Sequence, residues 1–268
     1  MQELLQEILT GATRVHFIVG DPIAQVKSPA GVTQALREHG CNAILVPFHV
    51  TPADLGAFVN GVSLAKNVDG IIVTVPHKFA AFELCATASE RASFLQTVNV
   101  MRRNPDGTWH GDMFDGLGFV EAMRSAGCDP AGQRVLLVGA GGAGSAIAHA
   151  IVLAGARSLA IHDEGTARRD ALVERLAGLG QIPVERGTAN PGGYDIVLNA
   201  TPAGMRPGDP FPVDVTRLTP AMFVGDVITA PAVTPLIETA RGVGCGTMTG
   251  ADMFTQVRDL IVEFLLNR

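Results

Sequence analysis

The sequence predicts an α/β protein of two domains: an N-terminal α/β domain on a mostly parallel sheet, and a Rossmann-like domain. Three observations carry this. Short apolar runs alternate with helix-forming stretches along the 268 residues, the pattern of strands joined by crossover helices. One run, Val135-Leu136-Leu137-Val138, enters the cluster Gly139-Ala140-Gly141-Gly142-Ala143-Gly144 and leaves it as the small, apolar stretch Ser145–Ala154. Composition is 47% hydrophobic and 17% charged, which suits a well-cored chain and not a disordered one.

Taken in order, Leu4, Leu5, Ile8 and Leu9 fall on one face of a short first helix. Arg14–Val19 reads as a strand and Gly20–Pro29 as a loop punctuated by glycine and two prolines. A helix from Gly31 to His39 stops at Gly40, and Ala43–Val50 is the second strand. Thr51 can cap the next helix, with Pro52 suited to its first turn. Asp69–Pro76 is the third strand, with His77 and Lys78 at its carboxyl end. Phe79–Ala92 reads as largely helical, Thr97–Arg102 as a strand, and Asn104-Pro105-Asp106-Gly107 as a turn. Trp109–Gly116 leads into a helix over Leu117–Ser125, and the domain boundary lies near that helix. The second half continues with strands at Val135–Val138, Ser158–His162, Asp195–Ala200 and Met222–Val227. Its helices follow the glycine cluster, run from beyond Asp163 to Leu179, and span Thr234–Arg241 and Met253–Leu266.

The formal charge of −6 and scattered basic residues, paired only at Arg102-Arg103 and Arg168-Arg169, argue against a nucleic-acid surface. Cys41, Cys85, Cys128 and Cys245 are far apart, without C-x-x-C, and are expected as buried thiols. The acidic start lacks the positive segment and continuous apolar core of a signal peptide, so none is expected there. No apolar run approaches the roughly 18–20 residues that span a bilayer. A cytoplasmic protein with no membrane partner is expected. No histidine spacing such as H-E-x-x-H points to a metal, and no G-x-S-x-G to a nucleophile elbow.

Gly139-x-Gly141-x-x-Gly144 fits the dinucleotide fingerprint in its required strand–turn–helix context. The first glycine allows the turn, the second admits a pyrophosphate and the third lets helix and strand pack closely, with phosphate at the helix N-terminus. Asp163 ends the next strand 19 residues after Gly144, where the fold places an acid on the adenosine ribose. The competing reading is a glycine-rich turn with no ligand.

Ligands of open α/β sheets gather at the carboxyl ends of strands. Ser28, Thr74, Lys78, Asn99 and Asp115 fall there in the first half. A lysine beside an aspartate can take the proton of an alcohol while a hydride leaves, and the other groups can hold the substrate in line. Each has a plainer alternative: a solvated Lys78, a helix cap at Asp115, a turn residue at Asn99, a loop histidine at His77.

Together these segments resemble the shikimate/quinate dehydrogenases, nearly end to end. Gly20-Asp21-Pro22-Ile23-Ala24 through Lys27-Ser28-Pro29 resembles that family's substrate-carboxylate loop. Val73-Thr74-Val75-Pro76-His77-Lys78 is similar to its strand ending in the catalytic lysine. Val98-Asn99, Gly111-Asp112 and Asp115-Gly116 match its substrate asparagine and catalytic aspartate. Asn199-Ala200-Thr201-Pro202-Ala203-Gly204-Met205 is similar to the motif on the nicotinamide side of its cofactor. The resemblance implies a substrate domain over 1–114, completed by a C-terminal helix over 248–268, and a dinucleotide-binding domain over 115–247. It implies an oxidoreductase of the shikimate pathway type, moving a hydride at a ring hydroxyl of a cyclic hydroxy acid, as monomer or homodimer. Lys78 and Asp115 become the proton-transfer pair; Ser28, Thr74, Asn99 and Gln256 hold substrate. Gly139, Ala140, Gly141, Gly142, Ala143, Gly144, Asp163, Asn199, Thr201 and Met205 line the cofactor.

This chain also departs from the family. Val26 stands for the first serine of a Ser-x-Ser pair, and Ile72 for an asparagine. Met113-Phe114 replaces asparagine-threonine, and Thr229 replaces a tyrosine. Gln256 lies one residue closer to Gly250 than the family's spacing. Losing hydrogen-bond partners lowers discrimination, so shikimate is expected to be held less tightly, with quinate or a related acid as an alternative substrate. Asp163-Glu164-Gly165 replaces an Asn-Arg-Thr stretch that meets the 2′-phosphate of NADP. Two acids repel phosphate while Asp163 can accept from a ribose hydroxyl. NAD is therefore expected to be preferred, with NADP possible through Arg168 and Arg169. The readings from other classes are a catalytically impaired NAD(P)-binding regulator of the same fold and a folate-linked dehydrogenase.

Overall fold

The computed structural model describes residues 9–267. The expected first helix, carried by Leu4, Leu5 and Ile8, lies outside them, and Leu9 is in no helix. Packing divides the chain into two units, 1–114 with 258–268 and 115–257.

The first unit holds β1 (Arg14–Gly20), α1 (Ser28–Glu38), β2 (Ala43–His49), α2 (Leu55–Ser63) and β3 (Val68–Val73). It continues with α3 (Lys78–Phe82), β4 (Thr87–Ala88), α4 (Glu90–Leu95), β5 (Val100–Arg103) and β6 (Trp109–Asp112). Its sheet runs β2-β1-β3-β5-β6-β4. β1 pairs in parallel with β2 and β3, while β5 pairs antiparallel with both β3 and β6. Ile18, Val19, Ile71, Ile72 and Val73 are buried, the apolar reading of strands covered on both faces.

Several elements differ from the sequence reading for local reasons. α1 starts at Ser28, because Pro29 suits a first helical turn. Thr51 caps nothing: its hydroxyl donates to Asp54 at 2.7 Å, and Pro52–Asp54 makes a single 3-10 turn before α2. The expected helix over Phe79–Ala92 is broken by β4, which pairs with β6, and Ser89 caps α4 by accepting from Ala92 N at 3.2 Å. Trp109–Asp112, read as a lead-in, is the returning strand of a hairpin closed by Asn104–Gly107, where Gly107 N donates to Asn104 O at 2.9 Å.

The second unit holds α5 (Asp115–Ser125), β7 (Arg134–Val138), α6 (Gly142–Leu153), β8 (Ser158–His162), α7 (Thr166–Ala177) and β9 (Val184–Arg186). Then follow β10 (Ile196–Asn199), β11 (Phe223–Asp226), α8 (Pro235–Val243), β12 (Gly246–Met248) and α9 (Gly250–Leu266), whose last residues count with the first unit. Its sheet is wholly parallel in the order β12-β11-β10-β7-β8-β9. β7 and β10 lie side by side while the chain leaves them in opposite directions across the sheet. Such a switch point leaves a crevice at the strands' carboxyl ends. The three-residue β9 and β12 are too short to mark themselves in a pattern of apolar alternation. Among the described residues no helix is long and apolar enough to cross a membrane, and the four cysteines are free thiols.

Candidate active site

In the first unit the candidate side chains share one edge of the sheet. β3 stops at Val73, and Thr74 follows with its N–H donating to Val19 O at 3.0 Å. The turn after it returns His77 N to Thr74 O at 3.0 Å and starts α3 at Lys78, which is half-buried. Because β5 runs antiparallel to β3, its beginning meets β3's end: Val73 N donates to Asn99 O at 2.8 Å. The antiparallel pairing thus brings Asn99 to the edge that carries Thr74 and Lys78. Lys78 O accepts from Val98 N at 3.1 Å, so the lysine's backbone is tied to the same strand. The loop after β1 is fastened there too, with Asp21 N donating to Val75 O at 3.0 Å, and Ser28 opens α1 at that loop's far end.

Asn99 is buried, and its Oδ1 accepts from Phe114 N at 3.0 Å. That bond fixes the segment that follows β6, at whose end Asp112 is buried. Asp112 accepts from Ser89 Oγ and Arg91, each at 2.5 Å, and from Met113 N at 2.7 Å. The Arg91 guanidinium lies 4.5 Å from the centre of the Phe114 ring, within cation–π range. The Met113-Phe114 departure therefore packs apolar side chains into the segment before Asp115. His77, read as a loop histidine, is instead buried and bonds through Nε2 to Val50 O at 2.8 Å. A carbonyl only accepts, so Nε2 carries a proton.

In the second unit Asp115 is the buried first residue of α5, and Gln256 lies half-buried in the part of α9 belonging to this unit. The glycine cluster forms the turn between β7 and α6. Gly139 has φ +109, a region that disfavours side chains, and a Cβ there would stand 2.7 Å from the Ala200 backbone. A Cβ on Gly144 would stand 2.0 Å from Gly139 O, whereas one on Gly141 would meet nothing within 4 Å. The turn is thus closed on its inner side and open on its outer side, at the first N–H groups of a 12-residue helix. This is the cradle a pyrophosphate requires, and the residues present fit a dinucleotide.

Asp163 follows β8 and is nearly inaccessible. Its Oδ2 accepts from Ala140 N at 2.7 Å; its Oδ1 accepts from Gly165 N at 2.6 Å and from Arg168 Nε at 2.8 Å. Burial pushes this carboxyl up, but Arg168 and the two backbone N–H groups outweigh it and hold the group below the usual carboxylate range. Asn199 ends β10, and Thr201 and Met205 occupy the following turn, half-buried. One group that sequence reasoning passed over stands beside them: Asp226, the last residue of β11, is completely buried. Burial pushes its carboxyl up to about 6, against the pull of Thr234, Ile228 and Asn199. Its signal in the sequence was a lone acid ending an apolar strand.

The parallel sheet and glycine cradle define a dinucleotide-binding unit, joined to an α/β unit with a lysine-bearing strand edge. Residues 18–101 match the model of the shikimate dehydrogenase substrate binding domain. A shikimate dehydrogenase (NADP(+)) of Rubrobacter xylanophilus is 36% identical over 247 residues, covering 90% of this chain and 87% of that protein. Among solved structures, a shikimate dehydrogenase in complex with NADP+ has a TM-score of 0.88 at 25% identity, covering 97% of this chain and 92% of the other. The shikimate 5-dehydrogenase of Listeria monocytogenes, in complex with shikimate and NAD, has a TM-score of 0.85 at 26% identity, covering 97% and 94%. The chain belongs to the shikimate dehydrogenase family.

Proposed function

We propose that this protein catalyses reversible NAD(P)-dependent hydride transfer at a ring hydroxyl of shikimate, quinate or a related cyclic hydroxy acid. The observation that carries this reading is the strand edge where Thr74, Lys78 and Asn99 are fastened to one another through β3 and the start of β5. In this reading Lys78 takes the hydroxyl proton during oxidation and returns it during reduction, with Asp115 its carboxylate partner. Thr74, Asn99, Ser28 and Gln256 hold substrate oxygens and keep the reacting carbon in line. The bound dinucleotide supplies or accepts the hydride. The outer face of Gly139–Gly144, with Ala140, Gly142 and Ala143, holds its phosphates, and Thr201 and Met205 flank its nicotinamide side.

The substrate side of this reading is less polar than the family's pattern, because Val26 and Ile72 offer no hydrogen bond. A KM for shikimate above that of a family member with both groups follows. Cofactor choice draws support in two directions. The curated relatives carry NADP(+) in their names, and the solved neighbours hold NADP+ in one case and NAD in the other, so the relatives favour NADP. At the ribose position this chain has Asp163 and Glu164, acids that disfavour a 2′-phosphate. Arg168, already paired with Asp163, is the cation at hand to offset them. We therefore assign NAD as preferred and NADP as tolerated.

A panel of shikimate, quinate and neutral analogues, assayed with each cofactor for wild type and Lys78→Ala, tests both parts. Turnover of at least one acid, lowered about a thousandfold by Lys78→Ala, is expected, general acid–base groups contributing about 10²–10⁴. Wild-type inactivity on the whole panel refutes the enzyme reading and leaves the dinucleotide-binding regulator. NADP used tenfold more efficiently than NAD refutes the cofactor assignment.

A further inference from the structure

Asn199 ends β10 in the second unit, where family resemblance counts it among the cofactor contacts. The residue is 1% exposed. Oδ1 accepts from Thr201 N at 3.0 Å and from Thr201 Oγ1 at 2.7 Å. Nδ2 donates to Asp226 Oδ1 at 3.2 Å and to Ala203 O at 3.3 Å. A primary amide has two N–H donors and two acceptor positions on its oxygen. All four are used inside the protein, so the side chain has none to offer a ligand.

The far end of this arrangement is Asp226, at 0% exposure. Besides Asn199 it accepts from Ile228 N at 3.0 Å on Oδ1 and from Thr234 Oγ1 at 2.7 Å on Oδ2. Thr234 in turn caps α8, accepting from Ile237 N at 3.3 Å. On the near side Thr201 Oγ1 accepts from Ala203 N at 3.2 Å. A continuous series of hydrogen bonds therefore runs from the start of α8 through Asp226 and Asn199 into the turn that ends at Met205. Burying a carboxyl in this way is costly unless its acceptors are filled, and here every partner is a donor.

We propose that Asp226 is a positioning residue for the cofactor, acting through Asn199 to hold the Thr201–Met205 turn in the shape that receives the nicotinamide side of the dinucleotide. The proposal rests on the reading of that turn as a cofactor wall. Asn199 is on this view a positioning residue too, one step closer to the ligand. Replacing Asp226 by asparagine keeps the volume but turns one oxygen into an N–H group that faces a donor. The amide of Asn199 is then released, or the Thr234 hydroxyl has to turn and accept instead of donating, and either change loosens the linkage that fixes the turn.

The test compares wild type, Asp226→Asn, Asn199→Ala and the double variant. NAD and NADP are titrated separately by calorimetry, and steady-state kinetics are measured with both. The expected result is a Kd and KM for the dinucleotide raised about tenfold in each single variant, with the KM for the hydroxy acid changed less than twofold. The double variant is expected to lose little more than either single variant, because both break one linkage. Dinucleotide Kd values within twofold of wild type in the folded variants overturn the proposal, whatever their melting temperatures. Fully additive losses overturn the route through Asn199. If Asp226→Asn does not fold, Asp226→Ser, which shortens the side chain away from Asn199 and keeps a polar atom, takes its place in the comparison. A wild-type protein that binds neither dinucleotide instead overturns the functional reading on which the proposal rests.

Discussion

Asp226 gives the stability of this protein a pH dependence that one substitution removes. Burial raises the carboxyl from 3.8 to about 6, with the bonds from Thr234, Ile228 and Asn199 opposing but not cancelling the effect. The folded chain therefore holds the proton more tightly than the unfolded chain. The stability this confers is fully present below the unfolded value, near 3.8, and is lost as pH rises through about 6. Roughly two pKa units at about 1.36 kcal/mol each make the full span about 3 kcal/mol. About 1 kcal/mol of it falls between pH 7 and pH 5, where acid unfolding driven by other carboxylates is not yet complete. Asp195, held down to about 2 by Arg134, contributes with the opposite sign, its stability lost as pH falls toward 2. That contribution is common to wild type and Asp226→Asn and cancels in their difference. Urea unfolding of both proteins at pH 5, 6 and 7, followed by far-ultraviolet circular dichroism, reads that difference directly. Wild type is expected to gain about 1 kcal/mol on the variant from pH 7 to pH 5. A flat difference, or one in which wild type loses ground on acidification, refutes the argument.

The other expectations are more local. Gly144→Ala drives a methyl to 2.0 Å from Gly139 O, a backbone atom that cannot swing aside; a loss of about 1–3 kcal/mol by chemical denaturation is expected, with no measurable dinucleotide binding. Asp163→Asn keeps an acceptor for Ala140 N but removes the charge, and the ratio of NADP to NAD efficiency, read as kcat/KM, is expected to rise about tenfold. Asp163→Ala also releases Ala140 N and is expected to weaken both cofactors. Burial pushes the Cys85 thiol up to about 12 and Cys128 up to about 11. Alkylation at pH 8, followed by mass spectrometry, is expected to leave these two unmodified in the folded protein and modify all four cysteines in urea.

The second unit was the more legible in the sequence because its strands are buried on both faces. Val135–Val138 and Ile196–Asn199 read as continuous apolar runs, and each ends in a residue with a conspicuous backbone or side-chain demand. The first unit hid its antiparallel hairpin. Trp109-His110-Gly111-Asp112 has neither an apolar run nor alternation, and β6 is held by pairing with β5 on one side and β4 on the other. The two-residue β4 exists only because β6 does, so local sequence gave no reason to break the helix expected over Phe79–Ala92. Yet this part of the sheet positions the candidate site: β5 pairs antiparallel to β3, which carries Asn99 to the edge with Thr74 and Lys78.

What the sequence reveals least is whether a polar residue at a strand end faces a ligand or holds something that does. Asp163 and Asn199 occupy positions where dinucleotide folds put contacts, and both are committed elsewhere. Asp163 ties the glycine turn to the end of β8 through Ala140 N and is clasped by Arg168 on its other oxygen. Its acidity therefore has a structural reason that operates with no cofactor bound. A ribose hydroxyl has to share Asp163 with these donors or displace Arg168, whose side chain is mostly exposed and can move. A 2′-phosphate meets the same arginine as an attraction and the same aspartate as a repulsion. On the proposed reading the choice between NAD and NADP turns on this ion pair rather than on the acid alone. Arg168→Ala separates the two effects: it leaves Gly165 N as the remaining donor on Asp163 Oδ1, opening that oxygen to a ribose hydroxyl, and removes the cation paired with it. Efficiency with NAD is then expected to hold or rise while efficiency with NADP falls, and equal losses with both would assign the pair a purely structural role.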